Sequence, residues 1–162
     1  MQNEIEKFLK VKEAAEIQYR KIDKIYCPFL KKNVNFNAKG LDHIKFKAWN
    51  KARLISDQYL RLKFLRLASD ILAKSGTLQE YNDSKNFERV KSNSQWRQLM
   101  MPVKYYGFVA VLNYDIRVKV VVKEICGGQP YFWSIIPFWK NYKHPITDAI
   151  KKVFHDGDLE FD

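Results

Sequence analysis

The sequence contains few cysteines and few histidines, and it lacks the signatures of several enzyme classes. Its two cysteines, Cys27 and Cys126, lie far apart with no CxxC spacing and no histidine beside them, which argues against a disulfide framework or a zinc site. Phosphate-binding loops, dinucleotide fingerprints, zinc-protease motifs and nucleophile elbows are missing. Three histidines and few clustered carboxylates make a two-metal nuclease site hard to build. We therefore expect neither a metal ion nor a cofactor.

Long apolar runs are also missing. No stretch approaches the roughly 18 residues of a membrane span, and the charged start MQNEIEKFLKVKEAAE lacks the apolar stretch of a signal peptide. We expect a soluble, cytoplasmic protein without a membrane partner. A length of 162 residues with 46% hydrophobic residues suits a single domain over 1–162.

Positive charge is abundant, and it is concentrated between residues 28 and 66. This stretch holds ten Lys or Arg against two acids, which gives it +8 of the formal +11 of the chain. Its cations are Lys31, Lys32, Lys39, Lys45, Lys47, Lys51, Arg53, Arg61, Lys63 and Arg66. His43, the only histidine in the first 140 residues, lies among them. Dense positive charge around one proton-transfer group is typical of proteins that hold, and in some cases cut, a phosphodiester.

Helical patterns dominate the first half of the chain. Apolar residues at helical spacing predict an amphipathic helix over 4–24 and another over about 57–74, the second ended by Ser75-Gly76. Residues 33–37 alternate as in a strand, and 41–54 fit either a helix or an extended piece followed by one. The polar stretch 79–95 indicates a mobile loop, with a short helix at 94–100.

From Val103 onward the period changes to two, which predicts three strands in a meander with turns near residues 113–115 and at Gly127-Gly128. In the middle strand the apolar residues 116, 118, 120 and 122 alternate with Arg117, Lys119 and Lys123. This alternation predicts one buried face and one wet, basic face.

The order of elements predicts an α+β fold in which N-terminal helices pack on a C-terminal antiparallel β-meander. We divide the single domain into an N-terminal helix (1–26), a core (27–139), and a short helix at 146–154 with an acidic tail (140–162). That tail either folds back on the basic face or serves as a solubilising end, and we favour the second interpretation.

The strings GLDHI, VKVVVKE and YFWSIIPF, in this order after a strand-like segment, resemble the barnase/EndoU/colicin/RelE-like group of RNase folds, in its phage- or toxin-associated members. The resemblance covers residues 33–139 and implies metal-free RNA cleavage, in which the 2′-OH attacks the adjacent phosphorus and leaves a 2′,3′-cyclic phosphate. His43 matches the histidine of the group and Ser134 its small hydroxyl on the late strand, while Lys45 supplies positive charge. A second histidine soon after the first, common in the group, is missing.

The expected catalytic residues are His43, Lys45 and Ser134. Those expected to hold nucleic acid, with RNA favoured over DNA, are Lys39, Lys47, Lys51, Arg53, Arg61, Arg117 and Lys119. Each has a plain structural alternative, because histidines often serve packing, lysines often form solvated faces and a strand serine often only packs in its sheet.

Three functions remain open from the sequence. The chain is a toxin- or phage-type endoribonuclease, a non-catalytic nucleic-acid-binding or regulatory protein, or a basic protein-binding module that inhibits a nucleic-acid enzyme. The first and third would have a protein partner, namely an antidote or the inhibited enzyme.

Overall fold

The computed structural model describes residues 1–48, 50–139 and 159–162, and in these ranges helices precede the long strands along the chain. The helices are α1 (Gln2–Arg20), α2 (Ala38–Lys45), α3 (Ile55–Phe64) and α4 (Ala68–Lys74), with a 3-10 turn at Leu65–Leu67. The strands are β1 (Lys24–Cys27), β2 (Lys32–Asn35), β3 (Phe46–Ala48), β4 (Lys51–Ala52), β5 (Glu80–Ser92), β6 (Gln95–Val111), β7 (Ile116–Ile125) and β8 (Tyr131–Trp139). The α+β class predicted from the sequence is confirmed.

Six of these strands form one mostly antiparallel sheet in the order β1-β2-β8-β7-β6-β5. The strands β5 to β8 form a meander of antiparallel neighbours, which includes the three strands predicted from period two. The hairpin β1–β2 joins the other edge, where β2 runs parallel to β8 and pairs through Asn35 and Tyr131. The strands β3 and β4 form a separate two-stranded ribbon.

The helices cover one face of the sheet. Val118, Val120 and Val122 of β7 are fully buried there, together with Phe132 and Leu62. This is the apolar face that the alternation in β7 predicts.

The close approach of α2 to β8 places His43 beside the sheet. Asn37 caps this helix by accepting a hydrogen bond from the Gly40 amide at 3.2 Å. A Cβ at position 40 would collide with the main-chain oxygen of Phe132, so the glycine permits the contact.

The opposite face of the sheet is covered as well, so the prediction of a wet, basic face is wrong. Lys119 and Lys123 are only 2% and 5% exposed. Residues 159–162, which we call the tail segment, lie on this face, and Leu159 packs with Val103, Tyr105, Val121 and Ile136 in a second core. Carboxylates from distant parts of the chain pair with both lysines, which explains how they stay buried.

Most of the stretch 79–95 is the strand β5 and not a mobile loop, and the predicted helix at 94–100 is wrong because β6 begins at Gln95. β5 pairs with β6 without interruption from Glu80–Gly107 to Ser92–Gln95. Asn93 and Ser94 both have positive φ, 50° and 64°, as a two-residue type I′ turn requires. Strand pairing with β6, and not apolar content, stabilises this polar segment.

Other boundaries differ from the predictions. The first helix ends at Arg20, and residues 24–27 pair as β1 because β2 offers a partner strand. The helix predicted over 57–74 is divided by the 3-10 turn, and the ambiguous stretch 41–54 contains most of α2 and the ribbon β3–β4. The predicted helix at 146–154 lies outside the described residues.

No helix in the described ranges is long and apolar enough to cross a bilayer.

Candidate functional site

Four side chains converge on one oxygen at the edge of the second core. The main-chain oxygen of Asp162 lies 3.1 Å from His43 Nε2, 3.1 Å from Arg53 Nη2, 2.8 Å from Arg61 Nη1 and 2.8 Å from Ser134 Oγ. We call His43, Arg53, Arg61 and Ser134 the seat. Two guanidinium groups, a hydroxyl and an imidazole around one oxygen form a site for the oxygen of an anion.

His43 is held from several directions. Its ring stacks on the indole of Trp133 with centroids 3.9 Å apart, and its main-chain oxygen accepts a hydrogen bond from Arg53 Nε at 2.9 Å. Burial, followed by the charges of Arg53 and Arg61, lowers the pKa of His43 to about 2. The imidazole is therefore neutral at pH 7, and it donates to the Asp162 oxygen when Nε2 carries the proton.

Asp57 orients both arginines. Its carboxylate lies 2.8 Å from Arg61 Nε and 3.4 Å from Arg53 Nη1, and it is four residues from each along the chain. Burial, and to a smaller extent the charge of Arg61, lower the pKa of Arg53 to about 10. Arg53 therefore remains protonated at pH 7. One carboxylate faces two guanidinium groups here, so the seat retains positive charge for an anion.

A second charged contact lies beside the seat. Lys119 Nζ is 2.5 Å from the Asp162 side-chain carboxylate and 3.1 Å from Glu80. Lys123 pairs with Glu88 at 2.6 Å, and its ammonium lies 4.2 Å from the Trp133 ring centroid. The tail segment thus places both its main-chain oxygen and its carboxylate among cations.

An open cleft of about 620 Å³ borders the seat and shares His43 with it, and Lys123 and Trp133 also line the cleft. Exposed cations on its wall include Lys39 and Lys47, and its aromatic residues include Tyr131 and Phe46. The ammonium of Lys39 lies 5.8 Å from the Tyr131 ring centroid. The wall also carries Asp42, Glu88 and Glu160, and between these acids its rings and exposed cations suit bases and phosphates.

The structure brings His43 and Ser134 together but separates Lys45 from them. Lys45 Nζ lies 3.3 Å from Glu16 and 3.8 Å from Asp42. Its position follows from the helix, because residues two apart on α2 do not share a face.

The residues predicted to hold nucleic acid divide into three groups. Arg53, Arg61 and Lys119 are buried, at 7%, 2% and 2% exposure, and do not lie on an open basic surface. Their burial follows from their pairing with Asp57, Glu80 and Asp162. Lys39 and Lys47 line the cleft. Lys51 is exposed on β4 and Arg117 is half-buried on β7, and neither belongs to the seat or to the cleft wall.

Several residues of the site escaped the sequence analysis. The spacing of Asp57 from Arg61, four residues later on the predicted helix, was a visible signal for a charge pair on one helical face. Trp133 was not among the predicted site residues, and its indole N–H donates to the Glu160 main-chain oxygen at 3.0 Å. Asp162 was placed in a solubilising tail, and only the fold brings it to the seat, 119 residues from His43.

No protein-family model, curated protein or solved structure matches the chain. Within the described ranges, no group of three or more His, Cys, Asp and Glu side chains is arranged to hold a metal ion.

Proposed function

We propose that the protein binds RNA by placing a backbone phosphate on the seat, and that it cleaves the RNA there without a metal ion. The observation that carries this proposal is the convergence of four polar side chains within 3.1 Å of a single oxygen, with Arg53, Arg61 and Ser134 as donors to it. A phosphate oxygen has the charge and the acceptor capacity that this arrangement fits. The Asp162 oxygen would then occupy the position of a phosphate oxygen.

The neighbouring cleft supports a nucleotide chain as the ligand. Phe46, 44% exposed on the cleft wall, offers a ring face, and stacking of a base on such a ring contributes about 1–3 kcal/mol. Lys39 and Lys47 are exposed on the wall and would neutralise the adjacent phosphates.

The proposed reaction is an internal transesterification. The 2′-oxygen forms a bond to phosphorus, the bond from phosphorus to the 5′-oxygen breaks, and the 2′-OH proton leaves as the 5′-oxygen gains one. Arg53 and Arg61 would stabilise the charge that builds on the phosphoryl oxygens. Substrate must displace the tail segment, and this opening removes much of the burial that keeps His43 neutral, so His43 becomes able to exchange a proton.

A cleavage assay in EDTA tests the proposal. Wild-type protein, His43→Ala, Ser134→Ala and the control Lys51→Ala are incubated with a labelled single-stranded RNA and with its 2′-deoxy counterpart. We expect fragments ending in a cyclic phosphate from wild type and Lys51→Ala on RNA alone, and a loss of at least about 100-fold in His43→Ala. Intact RNA with every protein, or equal cleavage by His43→Ala, would overturn the catalytic part.

A second candidate is RNA binding without cleavage. It is favoured by one observation, namely that His43 is neutral in the closed seat, with Arg53 Nη2 only 3.1 Å from its Nε2, and so carries no proton to give as an acid there. It predicts shifted but intact RNA in the same assay, with an affinity that falls steeply with salt. Binding that is indifferent to salt would exclude both candidates.

A further inference from the structure

The tail segment is recognised by the fold along its whole described length. The Leu159 side chain is 1% exposed in the second core, and the Glu160 main-chain oxygen accepts the Trp133 indole N–H. The Glu160 carboxylate accepts a hydrogen bond from Asn86 at 2.9 Å. Asp162 is fully buried, with its main-chain oxygen on the seat and its carboxylate on Lys119.

These contacts combine one apolar pocket with two sites for oxygen at a fixed spacing. The pocket accepts a leucine side chain, and the polar sites accept an acidic residue three positions later. Such a combination is selective, because an apolar group at position 162 would leave the Lys119 ammonium without this carboxylate, and a charge at position 159 would lie among apolar side chains.

We infer that the groove formed by the seat, Lys119, Trp133 and the Leu159 pocket is a recognition site for an acidic peptide segment, and that the tail segment occupies it as an internal competitor of phosphate ligands. The inference rests on the proposed function only in taking the seat as the phosphate site. The acidic segment and a phosphate need the same four side chains, so they exclude each other. The tail segment must leave before any anion binds the seat, and this requirement lowers the apparent affinity of the anion.

Competition with inorganic phosphate tests the inference in the full chain. The indole N–H of Trp133 is followed by NMR in ¹⁵N-tryptophan-labelled protein, because it reports directly on the Glu160 contact. Wild type is compared with Leu159→Ala and Asp162→Asn, which weaken the pocket contact and the Lys119 contact separately. Asp115→Asn makes the same chemical change at an exposed position outside the site.

We expect phosphate to bind Leu159→Ala and Asp162→Asn about tenfold more tightly than wild type or Asp115→Asn, as the loss of one good contact predicts. In wild type, phosphate should shift the Trp133 signal toward its position in Leu159→Ala. A peptide of sequence Leu-Glu-Phe-Asp, added to Leu159→Ala, should return the signal toward its wild-type position and raise the apparent Kd for phosphate.

The same phosphate affinity in all four proteins, or phosphate binding that leaves the Trp133 signal unchanged, would overturn the inference. Two variants are used so that loss of folding in one leaves the other decisive. If the two variants bind phosphate more tightly but none of the proteins cleaves or binds RNA, the inference is retained and the proposed function is rejected. RNA cleavage at equal rates by wild type and both variants would reject the inference and retain the function.

Discussion

Cations and aromatic rings lie together in two regions of this molecule, but their exposure is opposite. In the seat, Arg53 and Arg61 are buried beside the stacked His43 and Trp133 rings. In the distal part of the β5–β6 hairpin, residues 85–102, which we call the arm, Phe87 and Trp96 are 67% and 59% exposed. The outward face of the arm also carries the exposed cations Lys85, Arg89 and Lys91.

The difference follows from where the carboxylates lie. Buried arginines require partners, and Asp57 and Asp162 supply oxygens to both. The only acid of the arm sequence is Glu88, which points to the other face and pairs with Lys123. A polyanion would therefore meet the arm at once, whereas it reaches the seat only when the tail segment leaves.

The largest effect is expected from the seat. Arg61→Met removes a guanidinium that bonds Asp57, Ser134 and the Asp162 oxygen, so a half-buried carboxylate and a buried oxygen lose a partner. We expect the free energy of unfolding to fall by about 3 kcal/mol, the low end for a partner removed from a buried ion pair, because Asp57 is partly solvated and keeps Arg53. Urea denaturation measures it. Arg66→Met, at an exposed position of the 3-10 turn, is the matched control and should change stability by less than about 0.5 kcal/mol. Equal losses in the two variants would contradict the structural role of Arg61.

The next effect concerns pH. The pKa of His43 is lowered to about 2 in the folded chain from 6.5, so protonation favours the unfolded chain. The stabilising contribution is complete above pH 6.5 and is lost as the pH falls toward 2, with a slope of about 1.4 kcal/mol per pH unit. Between pH 6.5 and 5, the free energy of unfolding of wild type should fall by about 2 kcal/mol because of this group. His43→Gln should not show this loss. Parallel stability profiles of the two proteins over this range would show that His43 titrates normally.

The same comparison shows what the sequence predicts and what it leaves open. Period-two alternation predicted β7 and its valine face, because strand periodicity is local information. It could not reveal that Lys119 and Lys123 are covered, since their partners Glu80, Glu88 and Asp162 are 35 or more residues away along the chain. The alternation of lysines in the sequence is the same whether the side chains are solvated or are buried against carboxylates from distant parts of the chain.

The seat was predicted only in part for a similar reason. His43 and Ser134 were selected by their resemblance to one group of folds, and both lie within 3.1 Å of the Asp162 main-chain oxygen. Lys45 was included because it is close in sequence, but the local helix turns it toward Glu16. The strand β5 was missed because its few apolar residues gave no periodic signal, and pairing with β6 decides its structure.

A smaller effect is expected at the arm, where it concerns RNA affinity and not stability. In Lys85→Gln/Lys91→Gln, two exposed cations are lost, so the slope of log K against log salt for single-stranded RNA should become shallower by about 1.4, two contacts at about 0.7 each. Affinity is measured by fluorescence anisotropy from low to physiological salt. Lys7→Gln/Lys10→Gln makes the same charge change at exposed positions of α1. Equal slopes in the two double variants would mean that the arm makes no phosphate contact.

The smallest effect is expected at Lys45, which is close to His43 along the chain but makes its contacts outside the seat. Its ammonium pairs with Glu16 and Asp42 and takes no part in the seat, so Lys45→Ala should cost only about 0.5–1 kcal/mol of stability. RNA cleavage or binding should stay within about twofold of wild type, whereas Arg53→Ala, eight residues later but on the Asp162 oxygen, should lose at least about tenfold. Steady-state rates, or affinities if the protein only binds, measure both variants. A loss in Lys45→Ala as large as that in Arg53→Ala would mean that bound RNA draws Lys45 away from Glu16 and into the site.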